Sequence, residues 1–159
     1  MFSILGTRVP GGRFLDLYAG TGAVGIEALS RGAAAVTFVE SEAQGLKLLR
    51  TNLITFGMLD HADVRPQSVA AFIRQAASEK ASYDVVFADP PYAATDAVEL
   101  LLGTWRTGLI APDGVLVIEQ HADRDLPLQT ERGRLIKRYD YGDTSLFVYG
   151  QDGWTEKQP

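Results

Sequence analysis

The stretch Phe14-Leu15-Asp16-Leu17-Tyr18-Ala19-Gly20-Thr21-Gly22-Ala23-Val24-Gly25 restricts the fold more than any other part of the chain. A short apolar run enters a glycine-rich turn, and a helical pattern follows at once. That is the pattern of a strand whose C-terminal end opens onto a nucleotide-like ligand. Glycine lets the backbone approach a ligand closely, and the helix N-terminus beyond it offers free N–H groups.

The same alternation then repeats. A helix over 23–31, with Val24, Ala28 and Leu29 on one face, stops at Gly32. A buried strand over 34–39 ends in Glu40. Ser41 and Gln44 form a capping-box pattern for a helix faced by Leu46, Leu49, Leu53 and Phe56 and ended by Gly57. A short strand over 62–65 precedes Ser68, which caps a helix faced by Val69, Phe72, Ile73 and Ala76. The strand over 83–88 runs into Asp89-Pro90-Pro91-Tyr92, and Thr95 opens a helix faced by Val98, Leu101, Leu102 and Trp105. A fifth strand covers 114–119. From about Arg132 the pattern changes to two strands, 134–141 and 145–149, joined at Gly142-Asp143-Thr144.

Four β-α units followed by a strand predict an α/β fold, a mostly parallel sheet with helices on both faces. The closing hairpin adds antiparallel strands, giving a Rossmann-like sheet of the seven-stranded type. Residues 1–150 are expected to form one domain, and 151–159 a polar tail. Met1-Phe2-Ser3-Ile4-Leu5 resembles the last turn of a helix.

Composition narrows the chemistry. The 159 residues suffice for one domain with a real core, and the absence of Cys removes thiolate nucleophiles, disulfides and Cys-ligated metals. No apolar run approaches the roughly 20 residues of a membrane span, so a cytoplasmic location is expected. The net charge of −5, from 15 Lys and Arg against 20 Asp and Glu, has the wrong sign for a protein held on nucleic acid by its overall field. A nucleic-acid substrate then requires a local basic patch.

Gly20-x-Gly22-x-x-Gly25 satisfies the dinucleotide fingerprint, and Glu40 lies where that fingerprint places an acid. In a dinucleotide site, however, the turn lies against a pyrophosphate, which a nearby carboxylate would repel. Asp16, four residues before Gly20, suits a ligand carrying an ammonium or sulfonium. S-adenosylmethionine has both cations and no phosphate. Glu40 is placed to accept hydrogen bonds from two ribose hydroxyls. Taken singly, Asp16 has a second, less favoured reading as a turn-stabilising acid, and Glu40 one as an acid at a helix N-terminus.

Asp89-Pro90-Pro91-Tyr92 falls at the carboxyl end of the fourth strand, on the sheet edge that binds ligands in such folds. The prolines fix the backbone, so the Asp89 carboxylate and the Pro90 carbonyl form a rigid pair of acceptors matched to a substrate –NH2. Tyr92 adds a flat face for stacking a base. An exocyclic amine conjugated into a ring is a poor nucleophile. Two acceptors pull its nitrogen toward tetrahedral geometry and aim its lone pair at a methyl group, so the rate comes from alignment and electrostatics.

Together, the residues 16–22, 27–32, 38–40, 88–92 and 141–144 resemble the RsmD-type bacterial 16S ribosomal RNA guanine-N2 methyltransferases. The resemblance covers essentially the whole chain. It implies a class I methyltransferase fold, S-adenosylmethionine as cofactor, and a guanine amine in small-subunit RNA, free or partly assembled, as acceptor. It places Asp89 and Pro90 on the amine and Tyr92 on the base as the catalytic set. The expected cofactor set is Asp16, Tyr18, Gly20, Gly22, Glu40, Ser41 and Ser68, the last near the adenine. Members of that family begin with a basic arm and a helix ending in a phrase like Phe2-Ser3-Ile4-Leu5, and this chain shows only the end of the phrase. The arm is expected to be missing by truncation; it would supply positive charge and one wall of the cofactor pocket.

No metal site is expected, since His61 and His121 stand alone. Arg132, Arg134, Lys137 and Arg138 read as a solvated strand face before they read as an RNA contact. A monomer is expected. The acceptor motif recognises –NH2 rather than guanine, so adenine N6 or a protein glutamine remains open. So do a dinucleotide oxidoreductase and an inactive RNA-binding module.

Overall fold

The computed structural model describes residues 1–91, 94–151 and 154. Its elements follow in the order α1 (Phe2–Leu5), β1 (Arg13–Leu17), α2 (Ala23–Ser30), β2 (Ala35–Val39), α3 (Ala43–Thr55), β3 (Ala62–Arg65), α4 (Val69–Glu79), β4 (Tyr83–Ala88), α5 (Ala94–Arg106), β5 (Ile110–His121), β6 (Arg134–Tyr141) and β7 (Thr144–Gly150). They build one sheet of order β3-β2-β1-β4-β5-β7-β6. The first five strands pair in parallel, and β7 pairs antiparallel with both β5 and β6.

β1 and β4 are near-continuous apolar runs because both faces of the sheet are covered. Leu15, Leu17, Val86, Leu116 and Ile118 pack on one face with Phe72, Ile73, Leu101 and Trp105 of α4 and α5. Phe14, Val36, Phe38, Val85 and Val117 pack on the other with Ala28 of α2 and Leu49 and Leu53 of α3. Pleat alternation thus assigns each strand's odd and even positions to different layers.

Two local expectations are corrected. Ser41 does not cap α3: the N-cap is Glu42, with no side-chain cap bond, and the Glu42 N–H instead donates to Glu40. Phe56 does not join the α3 core face but is 61% exposed, because it is already the C-cap residue where the helix turns away from the sheet. Strand β5 is longer than its apolar centre, reaching from Ile110 to His121. None of the described helices is long and apolar enough to cross a membrane.

Candidate methyl-transfer site

The order reverses between β1 and β4: β2 and β3 lie to one side of β1, and β4 and β5 to the other. That switch point opens a crevice at the carboxyl ends of the strands. The register aligns what lies there. Asp16 pairs with Phe38 on one side and Phe87 on the other, and Phe87 pairs with Val117. Two residues further along β2, β4 and β5 come Glu40, Asp89 and Glu119. The chain therefore sets four carboxylates across the central strands in the order Glu40, Asp16, Asp89, Glu119.

The first two are built into the backbone. Asp16 is 2% exposed, and its Oδ2 accepts the Gly25 N–H at 2.9 Å. Glu40 accepts the Gly20 N–H on Oε2 and the Glu42 N–H on Oε1, both at 2.7 Å. Each Glu40 oxygen retains a lone pair for a further donor. These bonds reshape the glycine turn. Gly20 and Gly22 adopt φ of 55° and 82°, and Gly22 is the N-cap of α2. Gly25 is required by packing, since a Cβ there would lie 2.3 Å from the Phe38 ring. The Gly20 and Gly25 N–H groups, which a dinucleotide turn would offer to a phosphate, are held by carboxylates. The sequence fingerprint is present, but its anion-binding function is taken by the protein's own acids.

The second pair is open. Asp89 and Glu119 form no side-chain hydrogen bond or ion pair among the described residues, and both line a pocket of about 260 Å³ with Pro90, Gln120, Asp143 and Thr144. Among the described residues no Lys or Arg forms an ion pair with the row. Burial pushes Asp16 from 3.8 to about 7, against the Gly25 bond, and the charges of Asp89 and Glu40 push the same way. Burial raises Asp89. Burial and then the Asp89 charge raise Glu119. Such a row repels a pyrophosphate and favours a ligand bearing positive charge. The residues therefore fit S-adenosylmethionine and not a dinucleotide.

Tyr18 links the row to the flanking clefts. It adopts φ 60°, a left-handed conformation costly for a bulky residue, immediately after β1. It lines a cleft of about 190 Å³ with Glu40, Ser41, Ser68 and Val69. It also lines a neighbouring cleft of about 280 Å³ that contains Val69, Ala70, Ile73 and Leu100. Ser68 is the N-cap of α4, its Oγ accepting the Ala71 N–H at 3.2 Å, and it borders the Glu40 cleft as well.

The structure thus brings Tyr18, Glu40, Ser41 and Ser68 around one cleft, with Gly20 attached through Glu40. Asp89 and Pro90 share a second pocket. Asp16 lines neither pocket and holds the Gly25 N–H beneath them. Tyr92 lies outside the described residues. Glu119 and Gln120 were missed by sequence reasoning, since an acid ending an apolar strand carries no signal until its register beside Asp89 is known. Arg138 is tied to Asp125, Asp140 and the Ala122 carbonyl. Among the described residues no group of three or more His, Cys, Asp or Glu is placed to hold a metal ion.

Known proteins share this arrangement of chain. Residues 1–150 match the family described as Conserved hypothetical protein 95. Ribosomal RNA small subunit methyltransferase D of Haemophilus influenzae is 34% identical over 139 residues, covering 85% of this chain and 69% of that protein. The protein of the same name from Escherichia coli K12 is 26% identical over 156 residues, 98% of this chain and 77% of that one. A solved structure of a conserved hypothetical protein from Streptococcus pyogenes superposes with a TM-score of 0.80 at 28% identity, covering 91% of this chain and 88% of that one. The chain belongs to the Conserved hypothetical protein 95 family, that of the RsmD-type methyltransferases.

Proposed function

We propose that this protein is an S-adenosylmethionine-dependent methyltransferase that modifies the exocyclic N2 amine of a guanine in 16S ribosomal RNA. It works as a cytoplasmic monomer on the RNA or on a partly assembled small subunit. The observation that carries the reading is the carboxylate row, with the glycine-turn N–H groups bound to Glu40 and Asp16 rather than free for a phosphate. RNA as the acceptor is supported by relatives named ribosomal RNA small subunit methyltransferase D. Guanine N2 rests on the family resemblance.

When bound, S-adenosylmethionine supplies an electrophilic methyl group on a sulfonium. The spare lone pairs of Glu40 would accept its ribose hydroxyls, and Ser68, Ser41 and Tyr18, which line the same cleft, would enclose it. Asp16 keeps a buried negative charge beneath the site and fixes the start of α2 through Gly25. Asp89 and the Pro90 carbonyl accept the two amine hydrogens, so the nitrogen lone pair is aimed before reaction and no reorganisation is needed during it. Asp89 acts as an ionised acceptor and orienting group. Tyr92, on its motif, supplies the stacking face.

Mass-spectrometric mapping of methylated nucleosides in 16S RNA, from cells with and without the protein, tests the reading. We expect one N2-methylguanine to disappear without it. An unchanged RNA methylation pattern, or tight binding of NAD without binding of S-adenosylmethionine in calorimetry, overturns the proposal.

A further inference from the structure

We infer that Glu119 selects the base to be methylated, by accepting the N1–H of guanine beside the amine held at Asp89. The inference rests on the methyltransferase reading above and assigns a residue to its specificity.

Asp89 and Pro90 alone recognise an amine, and every candidate acceptor has one. Bases differ at the atom next to that amine. In adenine and cytosine it is a ring nitrogen lone pair, and in a carboxamide it is a carbonyl oxygen, all of them acceptors. In guanine it is N1–H, a donor. A carboxylate, being acceptor-only when ionised, attracts the guanine edge and repels the others.

Glu119 occupies the required place. Ala88 pairs with Ile118, so Asp89 and Glu119 follow side by side on adjacent strands, about 4.8 Å apart in backbone spacing. Both line the 260 Å³ pocket, and Glu119 makes no hydrogen bond or ion pair among the described residues. The Asp89 charge adds to burial in raising the proton affinity of Glu119, which a neighbouring N–H donor relieves. A separate observation concerns Gln120. This residue lines the same pocket, is 4% exposed, and its buried Nε2 has no acceptor among the described residues. Guanine O6, next to N1–H, supplies an acceptor for this amide once its side chain turns from its enclosed position into the pocket.

The test compares wild type with Glu119→Gln on small-subunit RNA carrying either guanine or 2-aminopurine, introduced by splint ligation, at the methylated position. 2-Aminopurine keeps the amine but has a lone pair at N1. Wild type should prefer guanine by roughly 10- to 100-fold in kcat/KM. In Glu119→Gln, whose amide can donate to that lone pair, the preference should shrink to within about threefold. S-adenosylmethionine affinity, measured by calorimetry, should fall by no more than about tenfold, the effect of one lost charge in the row, and shows that the variant is folded. A parallel fall on both RNAs with the ratio preserved overturns the role of Glu119 while leaving the methyltransferase reading intact. Absence of methyl transfer to guanine by wild type, or transfer to adenine N6 or a protein glutamine instead, overturns that reading together with this inference.

Discussion

The two halves of the carboxylate row contrast in every property except charge. Glu40 and Asp16 are buried and spend hydrogen-bonding capacity on backbone N–H groups of the glycine turn, α2 and the entry to α3. Asp89 and Glu119 are more open and unpartnered among the described residues. The first half shapes the protein around itself, and the second leaves its acceptors for something that arrives. The difference follows from position. β1 and β2 feed into tight connections whose N–H groups lie within reach of an acid, whereas β4 ends in Pro90 and Pro91, which have no N–H to give.

The largest effect expected from breaking the contrast is at its open end. Asp89→Ala should lower kcat/KM for methyl transfer by about 10³-fold, in the range of lost orientation and electrostatic stabilisation. Cofactor affinity should stay within about threefold, read by calorimetry. A comparable loss in both quantities would erase the division between the halves.

At the built-in end, Glu40→Ala removes the acceptor of two backbone N–H groups and, in the proposed function, of the ribose hydroxyls. We expect cofactor affinity to fall about 100-fold and stability to drop by about 1–3 kcal/mol through the unsatisfied donors. Denaturant titration reads the second term. Unaltered stability would mean that the 2.7 Å bonds to Gly20 and Glu42 contribute nothing.

Asp16 sharpens the contrast through pH. Its carboxyl binds a proton more tightly in the fold, at about 7, than the 3.8 of an exposed aspartate. Between those values the folded chain carries more protons than the unfolded one, so the contribution to stability falls as pH rises from about 4 to 7 and stays low above. Asp16→Asn keeps an acceptor for Gly25 and removes the charge. It should therefore stabilise the ligand-free protein at pH 8 by on the order of 1–3 kcal/mol while weakening cofactor binding about tenfold. Thermal melts at pH 5 and pH 8 check the sign: the gain should be present at pH 8 and shrink toward pH 5. A variant destabilised at pH 8 contradicts it.

The smallest effect concerns the raised carboxyls of the open half. Because burial lifts Asp89 and Glu119, the acidic limb of kcat/KM should lie above the range of exposed carboxylates, and activity should fall as pH drops through it. In Glu119→Gln the limb should move down, since the carboxyl raised by both burial and the Asp89 charge is gone. An unmoved limb would separate the two groups electrically.

Much of this was readable before any coordinates. The strand–helix alternation, with glycines and capping serines as punctuation, fixed the parallel sheet and the closing hairpin, because binary patterning and turn chemistry are local properties. Asp16, Glu40 and Asp89 were recognisable because each ends an apolar strand and adjoins an unusual turn. Ser41 misled because a good capping residue and a real cap look alike in sequence, whereas the helix begins one residue later, with Glu42 as its N-cap. Phe56 misled because helical spacing continued past the point where the helix ended. Glu119 was invisible: only the pairing of Ala88 with Ile118 places it next to Asp89.

By itself, then, the sequence determined which elements form, in what order, and that acids stand at the ends of the central strands. Those are consequences of periodicity and of residue chemistry within a few positions along the chain. The tertiary structure decided that four such acids, from Asp16 to Glu119 and more than a hundred positions apart, gather at one edge of the sheet. It also decided which of them are occupied by backbone N–H groups and which stay open. The reason is that strand register and burial set both the spacing of charges and the water they lose, and neither exists until the strands are paired.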